Sequence, residues 1–203
     1  MPSWRGSTVR FERALMVGWL VLAGCEEKTS GPAPSRFASV KKSTQASAAA
    51  FCDKSYPAGA KRYVPAPERP FGEPVPKATG WTWLNVWATW CKPCVDEMGM
   101  LTRWREAFTR ENVPVTFELL SVDEPASQPA LEKWREKNLP GAIRWIRGED
   151  DFGPFLDGLS VDRNAAIPIH VLIDPKGSVR CVRVGAIHEE NYGAARDLIT
   201  HGD

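Results

Sequence analysis

Two cysteines separated by two residues, Cys91 and Cys94, are the side chains of this sequence best suited to chemistry. The apolar run 83–87 directly before them predicts a buried strand. The residues after them predict a helix that begins near the cysteines, because apolar side chains recur there at helical spacing: Val95, Met98, Leu101, Trp104 and Phe108. The free amides and positive dipole end of a helix stabilise a thiolate. Cys91 is therefore a candidate nucleophile, and Cys94 is its candidate partner in a reversible disulfide.

The segment around the pair, WATWCKPCVDEM, resembles the active site of thioredoxin-fold proteins and, more narrowly, of the TlpA/ResA-like thiol-disulfide oxidoreductases of bacterial cell envelopes. In that family Asn-aromatic-Trp-Ala-Thr-Trp precedes the CxxC, and a glutamate follows three residues after the second cysteine. Asn85 and Glu97 occupy the first and last of these positions. The resemblance implies that Glu97 tunes the cysteines; from the residues alone, Glu97 is equally well a solvated helix residue. Asn85 cannot titrate and is interpreted as a hydrogen-bonding core amide.

Ile167-Pro168, directly before the predicted strand 169–173, is the second feature with chemical meaning. In thioredoxin folds a proline at this point is cis, and its loop packs against the CxxC. The resemblance therefore implies that Pro168 belongs to the catalytic site and that Ile167 and Pro168 offer a backbone edge to a substrate peptide. The alternative is a trans proline that simply begins a strand. Trp90, next to Cys91, is predicted to lie on the surface as part of the docking patch.

Strands and helices alternate from about residue 78 to residue 203. The predicted strands are 83–87, 115–122, 143–146, 169–173 and 179–184, and the predicted helices follow the cysteines and cover 128–138, 152–159 and 189–200. This order predicts an α/β protein with a thioredoxin-like fold, a mixed central sheet with helices on both faces. The domain is placed at 57–203, and its proline-rich start, 57–76, is not expected to pair as regular strands.

The first 24 residues have the pattern of a signal peptide, in which three arginines precede an apolar stretch, 14–23, that is too short to span a membrane. The stretch ends in Leu-Ala-Gly-Cys, which resembles the lipobox of bacterial lipoproteins and implies that Cys25 is lipidated. An ordinary secretory signal is the alternative. Residues 25–56 are predicted to be a flexible tether. The expected location is the periplasmic side of the envelope, with the outer membrane slightly favoured over the inner because Glu26, not aspartate, follows Cys25.

Charge argues against nucleic acid as a partner. Removing residues 1–24 removes three of the 26 Lys and Arg and one of the 25 Asp and Glu, which leaves a net charge near −1. The expected partners are an exported protein carrying a dithiol or disulfide and, by resemblance, a membrane electron donor. We expect a monomer without a cofactor or a bound metal.

Cys52 and Cys181 remain after Cys25, Cys91 and Cys94 have been assigned. In an oxidising compartment they are candidates to pair, and the alternative is two free thiols, with Cys181 simply a small buried residue. Some TlpA-like proteins tie the N-terminal segment to the last strands, and this resemblance predicts a structural Cys52–Cys181 disulfide.

Two other functions compete with disulfide reduction. The first is a copper metallochaperone that holds Cu(I) through Cys91, Cys94 and His170; it is disfavoured because thioredoxin-fold copper chaperones use CxxxC. The second is a peroxidase-like redoxin, which is disfavoured because such nucleophiles usually lack a resolving cysteine three residues on.

Overall fold

The computed structural model describes residues 46–72 and 78–202. The predicted signal peptide, the lipidation site Cys25 and residues 26–45 of the predicted tether lie outside the described residues. Within the described ranges, no helix combines the length and the apolar character needed to cross a membrane.

Seven strands and five helices make up the described part of the chain. The strands are β1 (Lys54–Ser55), β2 (Glu68–Arg69), β3 (Trp81–Trp87), β4 (Val115–Ser121), β5 (Ala142–Ile146), β6 (Ile169–Ile173) and β7 (Val179–Val184). The helices are α1 (46–51), α2 (Lys92–Arg110), α3 (Gln128–Arg135), α4 (Glu149–Gly158) and α5 (Tyr192–His201). Short 3₁₀ turns precede α3 and α5.

The strands form one mixed sheet in the order β1-β7-β6-β3-β4-β5-β2. Strands β3, β4 and β5 are parallel, as expected for strands joined by helical crossovers, whereas β6 runs antiparallel to β3 and β7 antiparallel to β6. The β6–β7 turn is closed at Gly177, whose φ of +81° favours glycine. This is the thioredoxin-like fold, and the predicted fold class is confirmed.

Apolar side chains cover both faces of the sheet. Trp81 and Trp83 on β3 pack with residues of α1, α2 and α5, whereas Leu84 and Val86 on the same strand pack with α4. Trp87 packs with the start of α2 and with α3. The sheet therefore has α4 on one face and the other helices on the opposite face, which places the beginning of α2 over the end of β3.

The predicted boundary of the tether is wrong at its C-terminal end. Residues 46–56 form α1 and β1, and Ala48 and Phe51 are buried in the core with Trp83. Lys54 and Ser55 pair with β7. The composition of the segment suggested a linker because its few apolar side chains show no periodicity; long-range contacts, which composition does not report, hold it on the domain.

Other boundaries differ by a few residues. The proline-rich stretch does pair, through a single bridge between Arg62 and Ser178 and through the two residues of β2, which form the edge of the sheet beside β5, where prolines are tolerated. Helix α3 ends at Arg135, three residues before the predicted end. Helix α4 begins at Glu149, because Gly148 caps it and three acidic residues fill its first turn, where negative charge favours the helix dipole.

Candidate active site

Cys91 and Cys94 are joined by a disulfide, with their Cα atoms 5.3 Å apart. Cys91 is the N-cap residue of α2, and its Sγ accepts a hydrogen bond from the backbone N–H of Cys94 at 3.3 Å. Pro93 lies in the first turn, where a helix needs no N–H from it. Cys94 is completely buried, and Cys91, itself only 5% exposed, lines a groove at the surface. The pair at this helix N-terminus therefore has one cysteine at the wall of a groove and one fully enclosed cysteine.

The groove beside Cys91 has a volume of about 890 Å³ and lies between the start of α2, the loop after β4 and the segment before β6. The Ile167–Pro168 peptide bond is cis, and the Ile167 carbonyl oxygen lies 3.7 Å from the Sγ of Cys91. Trp90 also lines the groove and is 66% exposed, while Trp81, Trp83 and Trp87 are buried. The structure thus places Trp90 and the Ile167–Pro168 peptide bond beside Cys91.

Asp123 anchors the loop that presents Cys91, a role that we did not predict from the sequence. Its carboxylate accepts hydrogen bonds from the Thr89 backbone N–H at 2.9 Å and the Thr89 hydroxyl at 2.6 Å. The Ser121 hydroxyl donates a third at 2.7 Å. Asp123 follows the end of β4, which pairs in parallel with β3, so its side chain arrives at the same edge as the CxxC. A polar residue after a buried parallel strand was the available signal.

Glu97 is buried on the other side of the disulfide. Its Oε1 accepts a hydrogen bond from Asn85 Nδ2 at 2.7 Å, and its Oε2 accepts one from the Ile187 backbone N–H at 3.3 Å. The alternative interpretation of Glu97 as a solvated helix residue is therefore wrong. Asn85 is the hydrogen-bonding core amide that was predicted. Glu97 and Ile187 also line a second groove of about 870 Å³, which lies on the far side of the Lys92-Pro93 turn.

Comparison with known proteins places these features in a family. The model of the AhpC/TSA family matches residues 75–182, more than half of the chain. The chain belongs to the AhpC/TSA family. Within it, the chain is 28% identical over 109 residues to the thiol-disulfide oxidoreductase ResA of Geobacillus kaustophilus, a match that covers 53% of this chain and 56% of that protein. The resemblance predicted from the CxxC segment is thereby confirmed.

A second relative is the thioredoxin-like protein YneN of Bacillus subtilis, 25% identical over 120 residues, or 57% of this chain and 62% of YneN. The chain thus spans about three fifths of the length of these curated relatives. Among solved structures, StoA of Bacillus subtilis aligns with a TM-score of 0.44 at 20% identity, over 59% of this chain and 85% of StoA. A thioredoxin-related protein of Neisseria meningitidis serogroup B aligns with a TM-score of 0.48 at 23% identity, over 61% and 87%.

His170 of this AhpC/TSA-family chain lies in the core, opposite Asn85 in the β3–β6 pairing. Its Nδ1 accepts a hydrogen bond from Trp83 Nε1 at 3.2 Å and lies 3.3 Å from Asn85 Nδ2. Its Nε2 lies 3.3 Å from Glu97 Oε1. The described ranges contain no cluster of three or more His, Cys, Asp or Glu suited to a metal ion. These contacts lend no support to the copper alternative.

Cys52 and Cys181 form the second disulfide, with their Cα atoms 5.4 Å apart. Cys181 is fully buried in β7, directly opposite Ser55 of β1. The bond links the end of α1 to the strand that neighbours β6. It lies at the core and is not part of the groove beside Cys91. It connects the N-terminal segment covalently to the sheet.

Proposed function

We propose that this protein is a thiol-disulfide oxidoreductase of the bacterial envelope that reduces disulfides in exported proteins through Cys91 and Cys94. The observation that carries the proposal is the asymmetry of the pair. Cys91 opens onto a groove at a helix N-terminus, and Cys94 is buried behind it. A nucleophile needs access and thiolate character, whereas a resolving cysteine needs protection from other disulfides.

The reaction starts from the reduced pair. The Cys91 thiolate attacks one sulfur of the substrate disulfide, which forms a mixed disulfide and releases the other substrate sulfur as a thiolate. Cys94 loses its proton and attacks the Cys91 sulfur, so the mixed disulfide breaks and the second substrate thiolate leaves. Two electrons pass from the protein to the substrate, and the protein ends in the disulfide form that the structure describes. A membrane electron donor then reduces it for the next cycle.

The substrate is an extended segment that lies in the groove beside Cys91. Apolar side chains, among them Trp90, Phe152 and Ile167, line this groove and favour an apolar residue next to the substrate cysteine. The Ile167 carbonyl, 3.7 Å from the Cys91 sulfur, offers a backbone acceptor to that segment. Asp123 contributes by holding Thr89, and with it the loop that carries Trp90 and Cys91.

The same proposal includes attachment of the protein to a membrane through a lipid. A lipid on Cys25 and the tether that follows it would hold a monomeric domain on the periplasmic side of the membrane, with the outer membrane slightly favoured. Replacing Cys25 with alanine tests this point, because the variant should move from the membrane fraction to the soluble periplasmic fraction. Retention of the variant in the membrane fraction would contradict lipid anchoring.

The direction of exchange is tested in cells. Acid quenching followed by alkylation with a mass tag counts the free thiols of the protein at steady state. A reductase should carry two tags, on Cys91 and Cys94, and the Cys91→Ser/Cys94→Ser variant should carry none. A mostly oxidised pair would show a disulfide donor instead and would refute the reductase assignment.

The purified protein provides the second test. The reduced wild type should reduce a peptide disulfide with loss of both thiols, and Cys94→Ser should stop at the mixed disulfide on Cys91. Stoichiometric Cu(I) binding without disulfide reduction would overturn the proposal in favour of the metallochaperone.

A further inference from the structure

The hydrogen bonds around His170 define its tautomer. Trp83 Nε1 can only donate, and it donates to His170 Nδ1 at 3.2 Å. The amide nitrogen of Asn85 lies 3.3 Å from the same atom and is also a donor. Nδ1 therefore carries no proton, and the ring is the neutral form with its hydrogen on Nε2. That N–H is completely buried and lies 3.3 Å from Glu97 Oε1.

Glu97 is thus surrounded by neutral donors. Asn85 Nδ2 and His170 Nε2 approach Oε1 from inside the core, and the Ile187 N–H approaches Oε2 from the wall of the second groove. His170 Nε2 lies close to Glu97 Oε1, but among the described residues it has no hydrogen-bond partner with regular alignment. These contacts hold the carboxylate in one position between the core and the second groove.

We infer that His170 is a positioning residue for the exchange reaction, which holds the Glu97 carboxylate in place to accept the proton of Cys94. The inference rests on the proposed function, because the proton matters only if Cys94 resolves a mixed disulfide. Glu97 follows Cys94 by three residues in α2, so their side chains share a face of the helix. In this role His170 acts through Glu97.

The proton balance of the resolving step follows. The Cys94 thiol gives its proton to Glu97 and becomes a thiolate, which attacks Cys91 and expels the substrate thiolate. The protonated Glu97 then returns its proton to solvent through the second groove, whose wall it forms. Asp96 and Glu189 along this groove are paired with Lys92 and Arg103. Glu190 and His188 also line the groove, but among its carboxylates Glu97 is the one that is buried and follows Cys94 by three residues in α2.

The two steps can be measured separately with the aromatic disulfide DTNB, after the Cys91–Cys94 pair alone has been reduced. Attack by Cys91 releases one thionitrobenzoate, and attack by Cys94 on the mixed disulfide releases the second. We expect His170→Phe to slow the second release about tenfold and to leave the first unchanged. This factor is at the lower limit for a hydrogen bond to a charged group, because the contact is imperfectly aligned. Phenylalanine keeps the edge contact with Trp83 and removes the N–H.

Three comparisons separate positioning from mere packing. His170→Gln, which retains an N–H, should recover most of the second rate. In a Glu97→Gln background, His170→Phe should slow the second release less than twofold further, because its target is gone. Asp174→Asn serves as a matched control: Asp174 is buried directly after the same strand, and its carboxylate accepts the N–H groups of the β6–β7 turn. It should change neither rate.

The inference is overturned if His170→Phe slows the second release as much in the Glu97→Gln background as in the wild type, or if it slows both releases equally. If the phenylalanine variant does not fold, His170→Asn replaces it, since its shorter amide cannot reach Glu97. Failure of the resolving step, on which the proposed mechanism and this inference both depend, gives a different result. The wild type would then release a single thionitrobenzoate, as Cys94→Ser is expected to do.

Discussion

Reduction of the Cys52–Cys181 disulfide should cost this domain much of its stability. The bond closes a loop that spans 129 positions. Loop-closure entropy for that length amounts to about 5 kcal/mol at 25 °C, an upper value because a reduced chain retains some structure. At about 2–4 °C per kcal/mol for a domain of this size, the melting temperature should fall by roughly 10–20 °C. The loss of structure should begin at α1, because the bond at Cys52 holds the end of this helix on the core, where Phe51 is buried against Trp83.

The assay is urea unfolding of the Cys91→Ser/Cys94→Ser variant with and without dithiothreitol, since Cys52–Cys181 is then the one disulfide among the described residues that the reagent can reduce. A variant that also carries Cys52→Ser and Cys181→Ser is the control, and its unfolding should not respond to the reagent. Limited trypsin digestion should release residues up to Lys54 faster in the reduced form. A change in the free energy of unfolding below about 1 kcal/mol would refute the entropic argument. It would mean that packing alone holds the N-terminal segment.

Two further predictions concern single carboxylates. Asp123→Ala removes the acceptor of three hydrogen bonds in a buried site and should lower the free energy of unfolding, measured in urea, by about 2–4 kcal/mol. The variant should also slow the first thionitrobenzoate release. An unchanged rate would show that the Thr89 loop needs no anchor. Hydrogen bonds from Arg196 hold the pKa of Glu111 below its ordinary value of 4.5, so the stabilisation is complete well above pH 4.5 and is lost as the pH falls through the lower folded value. Glu111→Gln should therefore lower the melting temperature slightly at pH 7 and leave it unchanged at pH 2, and equal losses at both values would contradict this assignment.

Sequence reasoning succeeded where periodicity is strong. The strands β6 and β7 have the predicted bounds, and β3 and β4 differ by one or two residues at an end, because alternating or continuous apolar residues over five to seven positions allow few other structures. It failed at 46–56, where two buried apolar side chains in a segment rich in Ala and Ser gave no pattern. The stability of that segment comes from contacts with β7 and the core, which are distant in sequence.

The candidate site shows the same division. The CxxC and the proline before β6 could be recognised from local segments, since each motif lies within a few residues. The polar cluster could not, because Asn85, Glu97 and His170 belong to a strand, a helix and a second strand. Nothing in the sequence indicates that a histidine two residues after Pro168 faces a glutamate in α2. The β3–β6 register, which sets Asn85 opposite His170, brings the histidine into this polar cluster.

The two grooves suggest why the buried carboxylate lies where it does. Both grooves border the Lys92-Pro93 turn, but Cys91 lines one and Glu97 lines the other. In the proposed mechanism, a substrate joined to Cys91 would cover the first groove and exclude water from the mixed disulfide, so a proton lost by Cys94 would not leave on that side. Glu97 faces the second groove, which the substrate leaves open. Under the proposed mechanism, the fold therefore separates the route of the substrate from the route of the proton, with the buried Cys94 between them.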